Sequence, residues 1–222
     1  MQDLIQQERF EIEVLDRLNS GRLLSNIVFG GGTMLRLCFG LNRFSVDLDF
    51  WIVKKTDINT LFKGIKQCLS EYYTVRDAKD KFYTMVFEVK SKSYPRSLKI
   101  EVRKETKKVT CEQAIAFSRY STTQVLLNVI SLREMMKLKI ETFLSRKEIR
   151  DVFDVEFLFK RGIPIDASPL TLAKVIKGID GLAKRDYSVK LGSLLEEDQR
   201  KYYVTENFKL LRSAIESLRQ NT

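Results

Sequence analysis

The short apolar run Ser25-Asn26-Ile27-Val28-Phe29 stops at three consecutive glycines, Gly30 to Gly32, and Thr33 to Phe39 then reads as a helix ended by Gly40. An apolar run of this length that meets a glycine cluster suits a buried strand entering a tight turn. A strand that hands over to a helix in this way commits the region to an α/β arrangement. Shortly afterwards VDLDFWIV (46–53) alternates as a strand. Val46, Leu48, Phe50 and Ile52 fall on one face, Asp47 and Asp49 on the other with Trp51. The two carboxylates stand about 7 Å apart along the strand, close enough to share one divalent cation. Without a cation they repel, and strand interiors are poor places for aspartate. A solvated edge face is the plainer reading of the same alternation.

The neighbouring segments extend the pattern. Residues 3–19 carry a helical stripe of Leu4, Ile5, Phe10, Ile12, Leu15 and Leu18, closed by Ser20-Gly21. Residues 56–73 read as a helix with Asp57 or Thr56 as N-cap. KFYTMVFEVK (81–90) and RSLKIEVRK (96–104) read as two strands joined by a turn around Ser93-Tyr94-Pro95. In the second of these Lys99, Glu101 and Arg103 share a face opposite Leu98, Ile100 and Val102. If it lies beside the aspartate strand, Glu101 becomes a third acidic ligand. An alternating-charge surface face is the alternative.

Beyond about residue 125 the strand signals stop, and 131–145, 147–160, 169–179 and 205–220 read as helices. The expected organisation is an α/β domain over 1–125 followed by a helical domain over 126–222, packed against it. On the helix 131–145, Leu132, Met135, Met136, Ile140 and Phe143 form an apolar stripe with Lys139 near its middle. A lysine there is costly unless an anion meets it, either a nucleotide phosphate or an internal ion pair, or unless it snorkels. Asp151 and Asp154 share a face of the next helix with Val155 and Leu158. An Arg150–Asp154 pair and a favourable charge for Asp151 at the helix start are the local explanations.

Composition removes whole classes of chemistry. The chain has no histidine, which excludes Ser-His-Asp and Cys-His catalysis and histidine zinc sites. Its three cysteines, Cys38, Cys68 and Cys111, lie far apart in no ligand spacing, which suits reduced thiols in a cytoplasmic protein. No apolar run is long enough for a membrane span, and the charged N-terminus is no signal peptide. The net charge of +10 is spread over both halves and favours polyanionic partners such as RNA, DNA or nucleotides.

Taken together, GGTMLRL and GLNRFSVDLDF resemble the signature of the nucleotidyltransferase-fold AbiEii/AbiGii (MenT-like) toxin family, within the polymerase-β-like superfamily. The matching residues are Gly31, Gly32 and Thr33, then Arg43, Ser45, Asp47, Asp49 and Phe50. Lys99 and Glu101 fall where the family has a lysine two residues before its third acid. Lys139, Arg146, Arg150, Asp151 and Asp154 match its helical lysine, arginine and Arg-Asp-x-x-Asp. The resemblance spans roughly 20–160. The third acid is glutamate here where many relatives have aspartate, and Glu105 stands where a basic residue is the family habit.

The resemblance implies a nucleotidyltransferase-fold mixed sheet with flanking helices, then a helical domain. It implies an NTP and Mg²⁺ (or Mn²⁺) held by Asp47, Asp49 and Glu101. Gly31, Gly32, Thr33, Ser45 and Lys139 would hold the nucleotide, and Asp151 and Asp154 would complete the catalytic set. Arg43, Lys99, Arg103, Arg146 and Arg150 would contact RNA, with a tRNA 3′ end as preferred acceptor and a translation block as the outcome. A cognate antitoxin is implied by the family alone. Transfer to a protein or small molecule, and a non-catalytic nucleotide-binding regulator, are the competing functions.

Overall fold

The computed structural model describes residues 1–106 and 108–220. It divides into two compact units, Met1–Ser131 and Leu132–Thr222. The first holds helices α1 (Gln2–Ser20), α2 (Gly31–Phe39) and α3 (Ile58–Tyr72). Its strands are β1 (Ile27–Gly30), β2 (Asp47–Ile52), β3 (Thr74–Asp80), β4 (Thr84–Lys90), β5 (Leu98–Arg103), β6 (Cys111–Ala116) and β7 (Val125–Ile130). The strands form one mixed sheet in the order β3-β4-β5-β2-β1-β7-β6. The β2–β5 and β1–β7 pairs are parallel and the others antiparallel. The α/β unit is thus what the strand and helix signals foretold, and the mixed sheet with flanking helices what the family resemblance implied.

The alternation read in the sequence decides the layering. Leu48 and Phe50 of β2, Ile100 and Val102 of β5 and Phe87 and Val89 of β4 are fully buried on one face. Each such side chain contributes about 1.5–3 kcal/mol on burial. Helix α3 lies over this face, where Phe62 stacks on Phe87 with ring centroids 5.0 Å apart. Asp57 is its N-cap and accepts the Thr60 N–H at 2.6 Å. Helix α1 packs on α3, β5 and β7. Gln7 of α1 reaches over the starts of β2 and β5, its Nε2 donating to the carbonyls of Val46 and Ser97 at 3.4 Å each.

Two strands on one flank of the sheet escape the sequence reading. VLLNVI forms β7, whose inward residues are Val125, Leu127 and Val129, but Leu126 points out and masks the alternation. Its edge partner β6 has mostly exposed side chains, so it carries no apolar period. On the opposite flank the edge strand β3, TVRDAKD, is missed for the same reason.

The second unit is helical among its described residues. It comprises α4 (Leu132–Arg146), α5 (Ile149–Lys160), α6 (Pro169–Asp180), a π-helical turn at Asp186–Leu191, a 3-10 turn at Gly192–Leu194, α7 (Glu197–Glu206) and α8 (Lys209–Gln220). Ser168 caps α6, with Pro169 in its first turn where a missing N–H costs nothing. The expected helix over 205–220 is interrupted, because Asn207 and Phe208 both take positive φ, 49° and 59°, and turn the chain between α7 and α8. Buried Glu156 of α5 accepts from Tyr203 Oη of α7 at 2.6 Å and from Lys160 Nζ at 2.8 Å, tying the two helices.

Candidate active site

The strand pairing sets the acids of the first unit side by side. In the parallel β2–β5 register Asp47 faces Lys99 and Asp49 faces Glu101, while on the other side of β2 Asp49 faces Gly30 of β1. Asp47, Asp49, Lys99 and Glu101 therefore share one sheet face, with Trp51 and Arg103 next along it. Neighbouring strands stand about 4.8 Å apart, so like charges at Asp49 and Glu101 destabilise the pair unless a cation intervenes. Lys99 supplies one: its ammonium forms an ion pair with Glu101. Its pKa is raised, first by the Glu101 hydrogen bond and then by the charges of Glu101, Asp47 and Asp49, against an opposing effect of burial.

The glycines are fixed by what they touch. Gly31 opens α2 with φ +77°, a region costly for any other residue, and a Cβ there would stand 2.6 Å from Asp49 Oδ2. A Cβ on Gly32 would stand 2.5 Å from Arg43 Nη2 and 2.9 Å from Ser45 Oγ. The start of α2 thus lies hard against Asp49, Arg43 and Ser45. Gly30 at the N-cap has no side chain to satisfy the first-turn N–H groups. Such groups, at the positive end of the helix dipole, suit anionic oxygens. Thr33 is buried and donates from Oγ1 to the Asp47 carbonyl at 2.6 Å, pinning α2 to the start of β2.

Arg43 differs from expectation. It is 2% exposed, and its Nη1 donates to the Phe44 carbonyl at 3.0 Å. The segment from Leu41 to Phe44 folds inward on Leu41 and Phe44, both buried, and carries Arg43 with it. An interior strut over Gly32 stands where a surface contact to RNA was expected. Lys99 and Arg103 are exposed as expected, with the Arg103 guanidinium 5.1 Å from the Trp51 ring centroid.

The second unit holds the other candidates. Lys139 is 7% exposed; its Nζ lies 2.6 Å from Asp154 Oδ2 and 3.4 Å from Asp151 Oδ1. Arg146 forks onto Asp151, Nε to Oδ2 at 2.6 Å and Nη2 to Oδ1 at 2.8 Å. Asp151 and Asp154 are fully buried. The anion that the lysine in the apolar stripe required is thus present within the unit, as a pair of aspartates. Arg150 is exposed.

Helix α1 adds acids that the sequence reading missed. Glu8 pairs with Arg36 and accepts from Ser118 Oγ at 2.5 Å. Glu11 is fully buried, and among the described residues neither of its carboxyl oxygens has a hydrogen-bond partner. Burial, then the charge of Glu8, lifts its carboxyl well above the usual range; Asp47 adds to this and Arg36 opposes it. The signal was available: Leu4, Gln7, Glu8, Glu11, Leu15 and Leu18 keep helical spacing, so polar residues occupy the core stripe.

Asp47, Asp49 and Glu101 offer oxygen donors of the kind a hard cation such as Mg²⁺ takes. Among the described residues no three carboxylates or thiols make a ready metal cage. Mg²⁺ is commonly held by one or two carboxylates together with substrate phosphates, so the set suits an ion that arrives with a nucleotide. Also among the described residues, no helix is long and apolar enough to cross a membrane.

Comparison with known proteins follows the same line. The family model for the nucleotidyl transferase AbiEii toxin of type IV toxin–antitoxin systems matches residues 13–217. No curated protein sequence matches the chain. JHP933 from Helicobacter pylori is similar in structure with TM-score 0.59 at 19% identity, covering 97% of this chain and 96% of that one. A putative nucleotidyltransferase from H. pylori gives 0.58 at 22% identity, over 94% and 96%. MenT4, a nucleotidyltransferase toxin from Mycobacterium tuberculosis H37Rv, gives 0.51 at 17% identity, over 90% and 84%. At such identities the likeness speaks to the fold.

Proposed function

The chain belongs to the AbiEii nucleotidyl transferase toxin family, and on that premise we propose that it transfers a nucleotidyl group from an NTP to an RNA hydroxyl, a tRNA 3′ end being preferred. Translation would stop as a result. The observation that carries this reading is the meeting of the glycine turn with the acid row: Gly31 against Asp49, and Asp49 in register with Glu101.

In the reaction, the acceptor oxygen forms a bond to the α-phosphorus while the bond from that phosphorus to the pyrophosphate oxygen breaks. The first-turn N–H groups of Gly31 to Thr33 hold phosphate oxygens, with Ser45 Oγ beside Gly32 as a further donor. The interior Arg43 keeps this turn in shape by filling the space over Gly32. Asp47, Asp49 and Glu101 are the groups that would hold Mg²⁺ or Mn²⁺, which when bound supplies charge to the triphosphate and lowers the pKa of the attacking hydroxyl. Glu101, directly or through a water, takes the acceptor proton as it leaves. Lys99 balances the acid row in the absence of substrate and can swing from Glu101 to a phosphate. Lys139, paired with Asp154 and Asp151, would be the cation fixed in place for an anionic oxygen. Arg103 and Arg150 have exposed side chains for an RNA backbone, whereas Arg146, expected with them, is forked onto Asp151. The toxin–antitoxin description of the family supports an antitoxin partner, and a cytoplasmic setting goes with that reading.

The test is incubation of the purified protein with each labelled NTP, Mg²⁺ and total RNA. Label in tRNA is the expected outcome. Nucleotide binding without transfer to any RNA would overturn the proposal.

A further inference from the structure

Among the described residues the most exposed large hydrophobic side chains are two adjacent aromatics that the catalytic reading leaves unused. Phe82 is 84% exposed and Tyr83 76%, and their rings meet edge to face at 4.6 Å. They form the tip of the β3–β4 hairpin, closed by the Lys81 N–H donating to the Thr84 carbonyl at 2.9 Å. Beyond their contact with each other, two aromatics this exposed bury little apolar surface in the fold, so an intermolecular role accounts for them better than packing does.

Their position is fixed by the sheet. Thr84 faces Arg103 in the β4–β5 register, and the Lys104 N–H donates to the Tyr83 carbonyl at 2.9 Å. Glu101 precedes Lys104 by three residues on the same chain, so the tip stands roughly 10 Å beyond the acid row at about 3.3 Å per residue. That is about the length of three stacked nucleotides at about 3.4 Å each. Between the two lie Trp51 and, over its ring, Arg103. The charge at this end of the sheet is basic. Lys81 and Arg103 are exposed, and so are Lys54 and Lys55 just past the end of β2; Lys104 pairs with Asp80.

Aromatic faces interleaved with cations are what single-stranded nucleic acid requires, with bases stacking on rings and phosphates following the positive charges. We propose that the Phe82–Tyr83 hairpin tip, with Arg103 and Lys81, is the subsite that holds the unpaired nucleotides leading to the acceptor hydroxyl. This rests on the RNA-acceptor reading above and narrows it to a single-stranded end. The tip stacks bases without reading them, so the subsite selects strand state rather than sequence.

The test measures binding of a fluorescein-labelled single-stranded oligoribonucleotide to the full chain without NTP, alongside NTP binding and transfer to RNA. Phe82→Ala/Tyr83→Ala is expected to weaken single-strand binding about tenfold or more while NTP binding stays unchanged. Phe82→Leu/Tyr83→Leu, which keeps apolar bulk and removes the π faces, is expected to be nearly as weak. Phe82→Trp is expected to bind at least as well as the parent. Arg103→Gln should lower the salt slope by about one unit. Binding of the Leu variant at the parent level would overturn the proposal and point to an apolar protein contact instead. Transfer to RNA by the Ala variant at parental efficiency would overturn the subsite and leave the transferase reading standing. Hairpin-dependent binding of the single strand with no transfer to any RNA would uphold the subsite and sink the transferase reading.

Discussion

Replacing Lys139 by Met tests whether the buried lysine is held by charge or merely by packing. Lys139 is 7% exposed, and both partner carboxylates are fully buried. Methionine keeps the length and the apolar stem of the side chain, so the perturbation is the ammonium alone. Asp151 retains the two Arg146 bonds of 2.6 and 2.8 Å. Asp154 loses its 2.6 Å cation and takes most of the loss. Removing one member of a buried pair costs about 3–5 kcal/mol, a large share of the roughly 5–15 kcal/mol that holds a domain folded. Adding Asp154→Leu removes the carboxylate that faced Lys139 and should recover at least about 2 kcal/mol, because a buried pair exchanged for apolar side chains is often neutral. Arg146→Met should cost less than Lys139→Met, since the Arg146 side chain is 45% exposed. Urea denaturation of the single and double variants gives these energies. Additive losses in Lys139→Met/Asp154→Leu, or a loss under about 1 kcal/mol in Lys139→Met, would refute the ion-pair account. Both variants are expected to lose nucleotidyl transfer, so the double variant should be folded and inactive.

Glu11→Gln should change how stability depends on pH. The folded protein keeps a proton on the raised Glu11 carboxyl that the unfolded chain releases near its ordinary value of 4.5. Stability therefore falls as pH rises from about there through the folded value, by up to about 1.4 kcal/mol per pH unit, and the Gln variant should lack that slope in urea titrations at stepped pH. Gly31→Ala should cost about 1–3 kcal/mol from its φ of +77° and displace Asp49, so that nucleotide affinity measured by calorimetry drops along with stability. Asp57→Ala should lower the midpoint of thermal unfolding through loss of the α3 cap and leave transfer unchanged, which thermal unfolding and the transfer assay check together.

Much of the site could be read from the sequence because strand alternation is a rigid rule. Asp47 and Asp49 had to share a face once VDLDFWIV was a strand, and β5 carried its own alternation with Glu101 on the polar side. What the sequence left open was the pairing of β2 with β5, since nothing local in either strand says which neighbour it takes. Arg43 was misjudged for a related reason: an arginine in a loop looks solvated until Leu41 and Phe44 are seen to fold inward and bring it over Gly32. The buried acids Glu8 and Glu11 were missed because an amphipathic stripe was read from its apolar members alone. β7 was missed because one exposed leucine, Leu126, broke its visible period. Phe82 and Tyr83 were absorbed into a strand that the structure begins only at Thr84.

The central claim is that the acid row beside the glycine turn performs the transfer. The most direct measurement compares the parent chain with Asp49→Ala, both shown folded by circular dichroism, for label passed from NTP to tRNA in the presence of Mg²⁺. Label in the tRNA with the parent and none with Asp49→Ala, together with loss of growth arrest, is the predicted result. Transfer or growth arrest at the parental level in Asp49→Ala would contradict it.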